Sequence, residues 1–369
     1  MTETDALVAL HLTPELGPVR IRRLIGEFGN ALQVVQTPLP MLHASGALSP
    51  SGGCGLARIL RERVWEKEQE KLSALGAWVL PFTDPRYPRS LAQLANAPVL
   101  LEVLGTLEAC DRHALAIVGS RECTFYGTES AKRFAYQLAA ARWTVVSGLA
   151  RGIDTAAHLG ALAAHGRTIA VLGSGLARVY PSENRGLAER IAAHGAVLSE
   201  FPVDYPPSAQ TFPYRNRVVA GLSQGLLLVE AGLQSGALIT ANLAADFGRQ
   251  VFAIPGPIDR PSSAGANRLI QDGAKLVMDA ADVLDEMSVL IPSGSGQPRE
   301  RNPTEESPPA PPAQAALLRL LAHGEMDPDT LVRQSGMSAP EVTSNLLALE
   351  LNRKVTRTAG NWYRLGGSP

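Results

Sequence analysis

The sequence predicts an α/β fold: a Rossmann-like, doubly wound, mostly parallel sheet, with a small all-helical N-terminal domain before it and a C-terminal winged-helix domain after it. Three observations carry this expectation. Short apolar runs recur through the middle of the chain as ALAIVGS (114–120), TVVSG (144–148), TIAVLGSG (168–175), AVLSEF (196–201), GLLLVEAG (225–232) and QVFAIPG (250–256). Amphipathic helical patterns such as TESAKRFAYQLAAA and TAAHLGALAAH lie between them. Strands that are apolar at nearly every position are buried on both faces, and their alternation with helices implies a parallel sheet covered on each side. Finally, the chain of 369 residues is too long for one typical domain.

The flanks follow from punctuation. At the front, LGPVRIRRLIGEFGNALQVV resembles a helix-hairpin-helix, with Leu16-Gly17-Pro18-Val19 as the tight turn and Ile21, Leu24 and Ile25 at helical spacing. Such a turn can aim backbone N–H groups at a phosphate, and a plain helical packing unit fits equally well. Residues 1–80 are therefore expected to be helical and 81–290 to form the sheet domain. From 291 to 313, Pro, Ser, Gly and mixed charge replace periodic apolar residues, which is linker composition. Residues 314–369 then show three helical patterns, AALLRLLAH, DPDTLVRQSG and APEVTSNLLALELNR, and two strand-like pieces in KVTRTAGNWYRL. Three helices and a hairpin in that order predict a winged helix, whose balanced charge leaves duplex DNA and a protein partner both open.

Composition narrows the function classes. The hydrophobic fraction is 45% and no apolar run approaches the roughly 20 residues that span a bilayer, so no membrane association is expected. MTETDALVAL is acidic and lacks the features of a signal peptide, which points to the cytoplasm. Cys54, Cys110 and Cys123 are odd in number and form no CxxC pair, so neither a disulfide framework nor a zinc site is expected. A net charge of -1 confines any polyanion site to a local patch.

The candidate site lies where the strands end. Gly119-Ser120, Ser147-Gly148, Gly173 with Gly175, and Ser235-Gly236 follow four of the predicted strands or their loops. In an open parallel sheet that edge forms the binding crevice, and helix N-termini there favour anions. GxGxxG is absent because Arg178 stands at the third glycine position, and no GxxxxGK[ST] occurs, so neither a nicotinamide cofactor nor ATP is expected. Arg121, Arg151, Arg215 and Arg217 sit beside the small loops, with Asn184, Asn216, Phe212 and Tyr214. Guanidinium forks suit phosphate oxygens and aromatic faces suit bases, together the equipment of a single-strand binder. The competing expectation pairs Arg215 and Arg217 with Asp204 or Glu200 inside the protein. Asp154 is read as a helix cap and His158 as structural, and no metal or cofactor is expected. A nucleotide hydrolase using Glu230, which ends a strand, is the alternative.

IVGSR (117–121), VVSGLARGIDTAAH (145–158), TIAVLGSGL (168–176), YPSEN (180–184), LSEFP (198–202), FPYRNRVVAGLS (212–223), VEAGLQSGALITA (229–241) and FAIPGPI (252–258) resemble, in order, the DNA-processing protein A (DprA/Smf) family. The resemblance covers about residues 84–285. It implies a cytoplasmic, non-enzymatic protein that binds incoming single-stranded DNA in natural transformation, protects it and loads the RecA recombinase. It also implies a homodimer formed through the Rossmann-like domain, with Arg121, Arg215, Asn216 and Arg217 on the DNA backbone and Phe212 near the bases. Gln234 stands where many relatives have a basic residue.

Overall fold

The computed structural model describes residues 1–290, 312–322, 324–351, 355–358 and 362–365. The chain divides into two compact units, residues 1–292 and 293–369.

The first unit opens with helices Glu3–His11, Pro18–Phe28, Ala31–Gln36, Leu39–Ala44, Pro50–Glu62 and Val64–Ala74. Thr2 and Asp5 close a reciprocal capping box at the first of these. Gly17 precedes the second, so the predicted tight turn is a helix start, with Pro18 at the position where its missing N–H costs no helical bond. Leu7, Leu10, Ile21, Leu24, Leu42 and Leu56 share one core with Val99 and Leu100 from the flank of the sheet. The helical layer is thereby packed onto the sheet.

The sheet is built from β1 (Ala77–Pro81), β2 (Leu100–Gly105), β3 (Ala114–Val118), β4 (Thr144–Ser147), β5 (Thr168–Leu172), β6 (Ala196–Ser199), β7 (Gly225–Leu228), β8 (Gln250–Ala253) and β9 (Lys275–Leu276). Their spatial order is β1-β2-β6-β5-β4-β3-β7-β8-β9. Pairing is parallel from β6 through β9, while β2 runs antiparallel to both β1 and β6. All six anticipated strands are present. The β1–β2 hairpin was not anticipated, because a long excursion separates its strands and Glu102 interrupts the apolar run of β2. Since β1 starts at Ala77, the sheet begins ahead of the expected boundary at 81.

Both faces are covered, as the unbroken apolar runs require. Val118, Val146, Ile169, Val219 and Leu226 pack on one side, where helices Thr211–Leu222 and Gly236–Asp246 lie. Leu115, Ile117, Phe134, Val145 and Phe252 pack on the other, beneath helices Phe125–Ala140 and Ile153–Ala163. The chain steps outward from β3 to β6 and then returns to place β7 on the opposite side of β3. Loops leaving β3 and β7 therefore part in opposite directions, and a crevice opens at their carboxyl ends.

In the second unit, helices Pro312–Leu321, Pro328–Ser335 and Ala339–Leu351 precede the antiparallel pair β10 (Val355–Thr358) and β11 (Trp362–Leu365). Asp327 caps the second helix and Gly336 ends it in the left-handed region, at φ 70°. Leu317, Leu331, Val342, Leu346 and Val355 form the core. This is the predicted winged-helix order. Of the expected linker, residues 291–311 lie outside the described residues, as do residues 359–361 between the two strand-like pieces, and the first helix already begins at Pro312. Among the described residues no helix is long and apolar enough to cross a membrane.

Candidate nucleic-acid interface

The crevice at the β3/β7 switch point opens into a cleft of about 670 Å³. Gly119, Ser120 and Arg121 from the loop after β3 line it, with Gly148 from the loop after β4. Phe212, Arg215 and Asn216 enter from helix Thr211–Leu222, and Ser235 and Gly236 from the start of helix Gly236–Asp246. Ser235 caps that helix by accepting the Ala237 N–H at 3.3 Å. Its dipole therefore faces the cleft, which favours an anion.

Arg121 is exposed, and among the described residues no carboxylate pairs with it. Its guanidinium carbon lies 5.0 Å from the centre of the Phe212 ring. Phe212 is half-buried, with the Tyr180 ring 5.5 Å away. The arrangement is a charged fork above an aromatic wall, with Tyr180 42% exposed at its side. A phosphate oxygen can meet the fork while a base lies against the rings.

The other arginines differ from the sequence expectation. Arg215 is 5% exposed; its Nη1 donates to the carbonyls of Gly148 and Val171, and its Nε to Asn216 Oδ1 at 3.1 Å. Burial lowers its pKa to about 10, against the opposing pull of Asp154. Its charge thus lies in the cleft floor, where it contributes to the field without reaching out as a direct clamp. Arg217 is a correction. It is 3% exposed and bonded to both Glu200 oxygens, so it does not line the cleft. Burial pushes the Glu200 carboxyl up, to about 7, while Arg217 pulls it down. Glu200 is one of the two internal partners the sequence offered. Arg151 is exposed but pairs with Glu183, beside the cleft. Tyr214 carries the Arg217 guanidinium 4.2 Å over its ring, away from the cleft lining.

Several small residues also serve the protein rather than a phosphate. A Cβ on Gly148 would collide with the Arg215 guanidinium, and one on Gly173 would come within 2.7 Å of the Phe212 ring. Gly175 packs beneath the backbone of Pro202 and Val203. The Ser147 hydroxyl donates to Ile117 O at 2.7 Å, and Asn184 donates to Leu149 O at 2.9 Å and Thr155 Oγ1 at 2.8 Å. Asp154 accepts the Gly148 N–H at 3.1 Å and the Ala150 N–H at 3.3 Å. A carboxylate therefore occupies the anion position that the loop after β4 was expected to offer, from within its helix rather than as the cap. His158 is fully buried against Thr168, as expected for a structural side chain.

Sequence reasoning missed Thr240. It lines the cleft, is 3% exposed and has no hydroxyl partner among the described residues. Helical spacing could have found it, because it lies one turn beyond Gly236 on the same face. Glu230, the hydrolase candidate, is 4% exposed and accepts Thr124 N–H at 3.1 Å and Thr124 Oγ1–H at 2.9 Å through Oε2. Its carboxylate anchors the start of helix Phe125–Ala140. Among the described residues no cluster of His, Cys, Asp and Glu could hold a metal.

The family model described as DNA recombination-mediator protein A matches residues 78–288, and a model of the DprA winged helix domain matches 301–361. The chain belongs to the DNA recombination-mediator protein A family. It is 40% identical over 294 residues to the Smf protein of Escherichia coli K12, covering 78% of this chain and 77% of that one. The X-ray structure of DNA processing protein A from Streptococcus pneumoniae superposes with a TM-score of 0.70 at 36% identity, over 78% of this chain and 99% of that one. A Helicobacter pylori DNA processing protein A, studied for its single-stranded DNA binding mode, superposes with a TM-score of 0.52 at 29% identity, over 57% and 95%.

Proposed function

We propose that the chain is a cytoplasmic, non-catalytic single-stranded DNA-binding protein that protects incoming DNA and loads the RecA recombinase in natural transformation and recombination. The cleft at the switch point holds the sugar–phosphate chain, and a homodimer forms through the Rossmann-like unit. The observation that carries this reading is Arg121, a guanidinium with no carboxylate partner among the described residues, held over Phe212 at the mouth of a cleft that a helix N-terminus also faces. The Helicobacter pylori relative supports the choice of single strands. Gly119, Ser120, Asn216, Ser235 and Gly236 shape the path beside Arg121, and the buried charge of Arg215 supports it from below. A hydrolase role for Glu230 has the weaker support, because its Oε2 is engaged by Thr124.

The test is a titration of labelled single- and double-stranded oligonucleotides with the full chain. Sequence-tolerant binding of single strands that weakens linearly with the logarithm of salt is expected. Release of a free base from a nucleoside monophosphate, abolished by Glu230→Gln, would establish the hydrolase instead.

A further inference from the structure

A second pocket, of about 500 Å³, lies behind the wall of the cleft. The two cavities adjoin through one backbone hydrogen bond: the Ser120 N–H donates to Glu230 O at 2.7 Å, Ser120 lines the cleft, and Glu230 lines the second pocket. The sides are apolar, with Val229, Ile254 and Ala266 among them. Tyr126 lines the pocket, its hydroxyl 3.4 Å from Pro255 O, and the residue is 52% exposed. Inside, Ser263 is 6% exposed and its hydroxyl has no partner among the described residues. Glu230 Oε2 is taken by Thr124, but Oε1 has only a long contact of 3.4 Å to the Thr124 N–H. At the rim, Arg260 is exposed and no carboxylate pairs with it among the described residues.

These groups specify an occupant. A carboxylate oxygen with only one long backbone contact repels a phosphate and can accept a further, shorter hydrogen bond, so the interior suits a neutral group with N–H donors. Apolar sides with an aromatic ring at the mouth suit a flat ring system, and the rim guanidinium suits an anion just outside. A nucleobase whose phosphate remains at the mouth meets all three demands.

We propose that this pocket takes a second base of the same single strand, stacked on Tyr126 and reached as the strand crosses the Ser120–Arg121 ridge; this rests on the cleft being a single-strand site. The test measures fluorescence anisotropy with oligothymidylates from a few to about twenty nucleotides. Tyr126→Ala is expected to leave affinity for the shortest bound oligomers unchanged and to weaken the longer ones about 5- to 150-fold, the loss of one base–aromatic stack. Tyr126→Phe keeps the ring and is expected to bind like the parent, while Arg260→Ala lowers the salt dependence for long oligomers only. Parental affinity of Tyr126→Ala at every length overturns the proposal, as does an equal loss at every length. Arg121→Ala separates the two sites. A loss at all lengths supports the cleft, whereas a silent Arg121→Ala beside a loss at every length in Tyr126→Ala removes both the cleft and the second-base role and leaves this pocket as the primary binding site.

Discussion

In the loop after β3, Arg121 extends over the Phe212 ring into solvent, whereas Arg217 on helix Thr211–Leu222 turns inward onto Glu200 and is almost wholly buried. Both arginines stand beside the same cleft region in sequence, and both were expected to grip a phosphate chain. The difference lies in their supports. A loop at a strand end has water on one side, so a long cation is left to meet whatever enters. Helix Thr211–Leu222 is covered on most of its surface, with Val218 to Leu222 all buried, so its cations must find partners inside. The first arginine is thus available for binding, and the second holds the helix in place.

This contrast can be sharpened by substitution, starting with the largest effect. Arg217→Ala leaves the Glu200 carboxylate buried without its partner, and a stability loss of about 3–5 kcal/mol is expected in chemical denaturation. A double change to Glu200→Gln and Arg217→Met should recover much of it, because two neutral groups avoid the unpaired charge. If Arg217→Ala unfolds at the parental denaturant concentration, the structural role assigned to Arg217 is wrong. Gly148→Ala comes next. The added methyl displaces the Arg215 guanidinium from its two carbonyl partners, and a cost of about 1–3 kcal/mol is expected, together with weaker DNA binding as the floor charge moves.

Beneath the same floor, His158 gives a smaller, pH-dependent effect. Burial, with the Arg215 charge as the second cause, lowers its pKa from 6.5 to about 3. The fold therefore favours the neutral ring. Its contribution to stability is complete above pH 6.5 and is lost progressively as pH falls from 6.5 toward about 3. Denaturation midpoints taken from about pH 7 down to about pH 5 should fall, and more gently in His158→Gln. An equal slope in both proteins would assign the acid sensitivity to other groups.

Much of this architecture was legible because burial on two faces leaves a simple trace. A strand such as β3 is apolar at every position, and a parallel sheet offers no other way to satisfy five consecutive buried residues. The glycines were legible as close approaches, but not what approaches them: at Gly148 and Gly173 it is the chain's own Arg215 and Phe212. Side-chain direction was the hidden variable. Arg215 and Arg217 are two residues apart, so on a helix they point to different faces, and nothing local says that both faces are covered. Thr240 was hidden for the converse reason: a threonine on an apolar helix reads as packing until the fold shows that it lines the cleft.

The central claim is that Arg121 grips the strand from outside the protein's own ion-pair network. Its most direct test is the salt dependence of single-stranded oligonucleotide affinity for the parent and for Arg121→Ala, with denaturation measured alongside. The account predicts weaker binding across all sequences, a slope against log salt reduced by about 0.7, the share of one phosphate contact, and stability within about 0.5 kcal/mol of the parent. Unchanged affinity and slope in a fully folded Arg121→Ala protein would contradict it.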